Sequence, residues 1–228
     1  MGGRSAKRTI SSLLEAGDRN GCLKEIKSLS PARAVNAIIP LLASSDPAVK
    51  WGAVSLMGGA TARLAETDLE SARIVMRRLM WSLFEESGAI GWGAPEAMGE
   101  IMARHDGLAE EYAKILVSYT REDGNFLEYE PLQRGVLWGI GRLAQARPTY
   151  LLAFHAPEFV QPYLDSPDSA VRGLAAWVCG LLNVHQAEER LERLHNDAGE
   201  LSFYLDDQVV TRRVGDLAKE ASQNLKQQ

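Results

Sequence analysis

Four helical segments of this chain align on one apolar anchor each, Val49, Ile90, Leu132 and Val171, at intervals of 41, 42 and 39 residues. Nine residues after these anchors stand Gly58, Gly99, Gly141 and Gly180, and four residues after them stand Ala53, Ala94, Val136 and Ala175. A fifth candidate anchor, Val209, follows 38 residues on, with Ala218 in the glycine's place. Small residues that recur at fixed places let neighbouring helices approach closely. A period of about 40 residues is that of a helix pair, which cannot bury its apolar face alone and does so by stacking on the next pair. The expected fold is therefore all-α, an α-solenoid (superhelix) of about five helix pairs.

The local signals agree. Apolar residues follow helical rather than alternating spacing nearly everywhere, and no β-branched alternating run bounded by turn residues stands out. Ser30-Pro31 and Asp46-Pro47 each place a capping residue before a proline at the first helical position. Thr67 to Glu70, T-D-L-E, reads as a capping box, and Ser166-Pro167-Asp168 as another helix start. Residues 9–222 are expected to form one solenoid domain, with a disordered tail at 1–8 and a fraying polar tail at 223–228.

Two stretches carry a family resemblance. "SPDSAVRGLAAWVCGLL" (Ser166 to Leu182) and "SDPAVKWGAVSLMGG" (Ser45 to Gly59) resemble the short HEAT-like repeats named after phycobilisome lyases, whose pattern runs roughly D-P-x-V-R-x-x-A-x-x-A-L-G. The resemblance covers about residues 30 to 220. It implies the fold, in a family that includes bilin lyases, enzyme scaffolds and pure binding proteins. The stretch "GWGAPEAMGEI" is also similar to a bacterial group of HEAT-like proteins, which implies no activity.

A second stripe lies two, six and ten residues after each anchor, on one flank of each second helix. It holds Trp51, Ser55 and Gly59; then Trp92, Glu96 and Glu100; then Arg134, Trp138 and Arg142; then Gly173, Trp177 and Leu181. Second helices line the concave face of a solenoid, so four of the five tryptophans fall on one stripe, with Glu96 opposite Arg134 or Trp138 and Glu100 opposite Arg142. Such residues serve either as packing and ion pairs between repeats or as a binding patch, since large aromatics and Arg dominate binding energetics. The candidate binding residues are Trp51, Trp92, Glu96, Glu100, Arg134, Trp138 and Arg142. The polar connection "SYTREDGNFLEYEPLQ" (Ser118 to Gln133) contributes Glu122, Asp123, Glu128 and Glu130. With Glu85 and Glu86 it is expected to form an acidic rim that attracts a basic peptide or a cation.

Pro95 is the oddest residue of the repeat. In the aligned frame it falls inside a helix, where it removes one hydrogen bond and clashes with the Gly91 carbonyl, at a cost of about 3 kcal/mol. The apolar spacing of Ile90, Ala94, Ala97, Met98 and Ile101 favours a kinked helix from about residue 89. A helix that starts late, with Pro95 at its first position, is the alternative.

Several chemistries find no support. The four histidines make no His-Glu-x-x-His and no His-Glu step of the kind used by the di-iron hydroxylases built on HEAT repeats; Asp106, beside Gly107, reads as a helix cap. Cys22 and Cys179 match no metal or redox spacing and read as buried thiols. No phosphate-binding loop or Gly-x-Ser-x-Gly elbow occurs. Glu96 and Glu100 share a helix face, but arginines beside them would offset any mutual effect. A net charge of -5 argues against nucleic acid. The absence of an apolar run of about 18 residues argues against a membrane span, and residues 1–10 lack the apolar core of a signal peptide. No metal or cofactor is expected, and the location expected is cytoplasmic. The expected function is a protein- or peptide-binding scaffold acting through the concave face. The alternative is an enzyme or small-ligand binder, lyase-like by resemblance, with a pocket beside Pro95.

Overall fold

A computed structural model of the chain describes residues 3–84 and 91–226. The anchor Ile90 and the rim residues Glu85 and Glu86 lie outside the described residues. In chain order the elements are α1 (Gly3–Glu15), α2 (Arg19–Ser28), α3 (Pro31–Ile38), α4 (Pro47–Thr67), α5 (Leu69–Ser82), α6 (Ala94–Arg104), α7 (Asp106–Ser118), α8 (Glu130–Ala146), α9 (Pro148–Ala153), α10 (Ala156–Val160), α11 (Ser169–Leu181), α12 (Glu188–Leu194), β1 (Glu200–Leu205), β2 (Gln208–Arg213) and α13 (Val214–Lys226). Short 3-10 turns occupy 39–41, 161–165 and 185–187. The fold is an all-α repeat of the solenoid class. The chain divides into two compact units, Met1–Leu108 and Ala109–Gln228.

In the first unit α3 packs against α4, and α4 against α6. Helix starts follow side-chain chemistry. Asp18, Asp46 and Asp68 each accept a hydrogen bond from a first-turn amide, Asp46 from Ala48 and Val49. These aspartates satisfy donors that have no partner within the helix. The expected capping box is corrected in one respect. The cap of α5 is Asp68, which accepts from Ser71, while the Thr67 hydroxyl donates back to the Leu64 carbonyl. Asp68 both closes α4 and opens α5, its amide donating to the Leu64 carbonyl while its carboxylate takes the Ser71 amide; Thr67 is still within α4.

The glycine of the repeat is where neighbouring second helices touch. A Cβ at Gly58 would lie 2.6 Å from Glu100 Cγ on α6. In the second unit, α8 packs against α11 and α11 against α13. There a Cβ at Gly141 would meet the Trp177 ring, and one at Gly180 would lie 2.9 Å from the Ala221 backbone. Gly58, Gly141 and Gly180 thus each receive the following second helix, as the repeat spacing implies.

Three expectations at the ends of the chain are corrected. α1 begins at Gly3, with Ala6 and Ile10 in the core, in place of a tail to residue 8. α13 continues to Lys226, with Leu225 buried, beyond the expected fraying point at 223. The fifth anchor is wrong: Val209 lies on β2 and is 44% exposed, and the last second helix is α13. β1 and β2 form an antiparallel hairpin, Glu200 opposite Arg213 through Leu205 opposite Gln208. Asp206 and Asp207 turn it with positive φ at both positions, the geometry that suits a two-residue hairpin loop. Leu201 and Phe203 are buried, against Gly173 and Trp177 of α11, while Ser202 between them faces water.

The kinked helix is also corrected. α6 starts at Ala94, so Pro95 sits in its first turn, where a missing N–H costs nothing. Gly91 to Ala94 close a β-turn, with the Ala94 amide donating to the Gly91 carbonyl at 3.0 Å. Gly93, at φ +76 and ψ -3, takes the third position, which requires a residue free of Cβ strain. The letters W-G-A occur at 51–53 and 92–94 in different structures: Trp51-Gly52-Ala53 lies within α4, whereas Trp92 is at the tip of a turn. Replacing Pro95 by Ala is expected to cost about 1–2 kcal/mol, from a freer unfolded chain and lost buried methylenes, as read by urea denaturation. An interior, kinking proline would give the opposite sign, a gain approaching 3 kcal/mol.

Candidate functional site

The candidate residues of the first unit divide into buried and open groups. Glu96 and Glu100 are each only 4% exposed. Lys50 Nζ donates to Glu96 at 2.7 Å, and Arg104 Nε to Glu100 at 2.5 Å. Glu96 also stands in the first turn of α6, where the free amides favour a negative charge. Arg104 reaches on to Ser55 Oγ at 3.4 Å, so the stripe of α4 meets α6 directly. Trp51 is half-buried, with Lys50 Nζ 5.1 Å from its ring centroid. These groups tie α4 to α6, and the two carboxylates are not surfaces presented to a partner.

Trp92 differs. Two glycines fix its turn by backbone contact: a Cβ at Gly91 would lie 2.7 Å from the Ser82 carbonyl oxygen, and one at Gly93 2.6 Å from that of Leu42. With the backbone pressed inward on both sides, the residue between them is left at the surface, 36% exposed. Its indole helps line an open cleft of about 420 Å³, together with Ile39, Leu42, Arg78, Leu79 and Trp81. Trp81, near the end of α5, is 77% exposed. Sequence reasoning missed Trp81 because it lies on a first helix, outside the stripe. The signal was present: Trp81 continues the polar face of α5 that carries Arg77 and Arg78, where an indole has no core to enter.

In the second unit, Trp138 is packing. It is 3% exposed, and its indole N–H donates to the Tyr204 carbonyl of β1 at 2.7 Å. A tryptophan enclosed in this way offers no surface to a ligand, which corrects its place in a binding patch. Trp177 is half-buried with its ring centroid 5.4 Å from that of Phe203. Arg134 forks onto both oxygens of Asp168, the residue that caps α11 through the Val171 amide. Burial works to raise the Asp168 carboxyl, but the Arg134 guanidinium and the Val171 amide outweigh it, and its pKa lies below the ordinary carboxylate value. Arg142 is half-buried on α8. The expected cap at the start of α7 is also reassigned, since the Leu108 amide donates to His105 Nδ1 at 3.2 Å.

A second cleft, of about 480 Å³, lies between the loop after α7 and the segment from α10 into the following 3-10 turn. Phe126, Phe159, Pro162 and Tyr163 supply its apolar walls, and Arg121, Glu122 and Asp123 its polar edge. The expected acidic rim contributes here through Glu122 and Asp123.

Comparisons with known proteins agree with this architecture. A family profile for the HEAT-like repeat matches residues 130–182, which span α8 to α11. No curated protein matches the chain. Among solved structures, an engineered protein superposes with a TM-score of 0.61 at 18% identity, covering 100% of this chain and 92% of its own. A designed armadillo repeat protein gives 0.58 at 17%, covering 98% and 91%. Another, solved in complex with the peptide (KR)4, gives 0.53 at 16%, covering 95% and 98%. Residues 130–182 thus match the HEAT-like repeat, and the chain shares its fold with designed armadillo repeat proteins. Among the described residues, no helix is long and apolar enough to cross a membrane.

Proposed function

We propose that this protein is a binding scaffold for a protein or peptide segment, and that Trp92 and Trp81 form its contact in the first unit. One observation carries the reading: two large indoles stay exposed, at 36% and 77%, and converge on the same open cleft. Withdrawing an indole from water contributes on the order of 2 kcal/mol when a partner encloses it, the scale of a binding hot spot. A repeat protein with a well-filled core gains nothing for its own stability by leaving two such groups outside. Arg78, held by Asn36 Oδ1 at 2.8 Å, adds a fixed cation at the cleft edge. The fold likeness to designed armadillo proteins, one of them bound to a peptide, supports a binding role in general terms. Of the residues singled out in the sequence, Trp92 is the one this reading retains as an anchor.

The test is affinity capture with the wild-type chain, with Trp81→Ala and with Trp81→Ala plus Trp92→Ala. Trp81 is exposed, so its removal is expected to change stability by no more than about 0.5 kcal/mol, which circular dichroism checks. The expected outcome is loss of specifically captured proteins with Trp81→Ala and further loss in the double variant. An unchanged partner set with both folded variants would remove this face from the reading.

A further inference from the structure

The cleft of the second unit has a chemistry different from that of the Trp81–Trp92 face and is independent of it. Its apolar walls are aromatic: Phe126, Phe159 and Tyr163 are all half-buried, and Pro162 is exposed beside them. The walls are set in place, because the Tyr163 hydroxyl donates to the Thr120 carbonyl at 3.2 Å and so ties the loop to the 3-10 turn. One aromatic face already carries a guanidinium. Arg121 lies with its central carbon 4.6 Å from the Phe159 centroid, and its Nε and Nη2 donate to Asp123 at 2.9 and 2.6 Å.

Among the described residues, two of the three carboxylates at the edge are held in ion pairs and one is not. Asp123 is matched by Arg121, and Asp165 by Arg190 at 3.1 Å and Arg193 at 3.5 Å. Glu122 also lines the cleft, is exposed, and has no ion-pair partner among the described residues. Its charge is felt at the cleft wall, where burial first and Glu122 second push the Tyr163 hydroxyl up to about 12. Tyr163 therefore remains a neutral donor and adds no anion of its own. An unmatched carboxylate above flat aromatic walls suits a planar cation with an apolar stem. An arginine side chain has that shape: its guanidinium stacks on rings and forks onto a carboxylate.

We infer that this cleft is a receptor for an arginine side chain of a basic peptide segment, its stem against Phe126, Tyr163 and Pro162 and its guanidinium on Glu122. The whole chain carries a net charge of -5, which favours the approach of such a segment.

The experiment is an NMR titration of the full-length ¹⁵N-labelled chain with three capped tripeptides, Gly-Arg-Gly, Gly-Lys-Gly and Gly-citrulline-Gly. Citrulline keeps the shape of arginine and removes its charge. Saturable shifts are expected in the amides of 120–126 and 159–166, with arginine binding at least about threefold more tightly than citrulline, the scale of one exposed ion pair. Lysine, without a plane to stack, is expected to bind more weakly than arginine. Glu122→Gln, which removes an exposed and unpaired charge, should leave the fold intact and bring arginine down to the citrulline level. Equal binding of arginine and citrulline, shifts confined to other residues, lysine matching arginine, or a Glu122→Gln protein that binds as the wild type does would each overturn the assignment. Trp81→Ala serves as the separating control: it should leave this titration unchanged, whatever it does to capture at the other cleft.

Discussion

Trp138→Ala is expected to destabilise the protein by about 3–5 kcal/mol, as measured by urea denaturation followed by circular dichroism. The side chain is 3% exposed, so its removal opens a large cavity beside α8. The loss has a polar component too, because the indole N–H donates to the Tyr204 carbonyl at 2.7 Å. Trp138→Phe separates the two. The phenyl ring keeps most of the apolar volume but has no donor, so the expected cost is about 1–2 kcal/mol, the size of one hydrogen bond plus a small void. If Trp138→Ala lay within about 1 kcal/mol of the wild type, the packing role would be wrong and a binding role for Trp138 would reopen.

The second large effect is expected at the Lys50–Glu96 pair, and it is asymmetric. Glu96 has a side chain 5% exposed, whereas Lys50 is 25% exposed. Lys50→Met leaves a carboxylate buried with its cation gone, and breaking a buried pair in this way costs about 3–5 kcal/mol. The free amides at the start of α6 still face Glu96 and offset part of that charge, so the lower end, about 3 kcal/mol, is expected. Glu96→Gln is milder, on the order of 1 kcal/mol, because the amide keeps a hydrogen-bonding oxygen and Lys50 can turn to water. Thermal and urea denaturation of both variants checks the order. A Glu96→Gln protein less stable than Lys50→Met would reverse the argument.

Both expectations rest on burial that the sequence could not rank. Trp51, Trp92, Trp138 and Trp177 share one stripe at helical spacing, yet Trp138 is enclosed and Trp92 opens to a cleft. In the aligned frame both fall on the same flank, Trp92 two residues after its anchor and Trp138 six after its own. The difference arises because Trp138 meets β1, whereas Trp92 rides a β-turn ahead of its helix. Trp81, the most exposed of the large hydrophobic residues among those described, lies outside the stripe and needed the structure to bring it beside Trp92.

The misread segments have local causes. Pro95 looked interior because the apolar spacing runs through it, but the same spacing can cross a turn when both flanks are buried. Gly91 and Gly93 are the residues whose backbones press on Ser82 and Leu42. The hairpin was legible in part: Leu201 and Phe203 alternate with Ser202 and Tyr204, and Asp206-Asp207 is an acceptable turn. The repeat frame placed a helix over it, and Val209 fitted that frame by spacing alone.

The sequence by itself determined the class of fold, the period of the repeat and the places where second helices touch. These follow from short-range rules: 3.6-residue periodicity, aspartate caps, and a glycine such as Gly58, Gly141 or Gly180 wherever another helix must come close. Tertiary structure alone decided which aromatics are core and which are surface, and which arginine meets which carboxylate. Glu96 took Lys50, and Arg134 took Asp168. Those outcomes depend on contacts between residues tens of positions apart, and a side chain's burial belongs to its neighbours in space rather than to its place in the repeat.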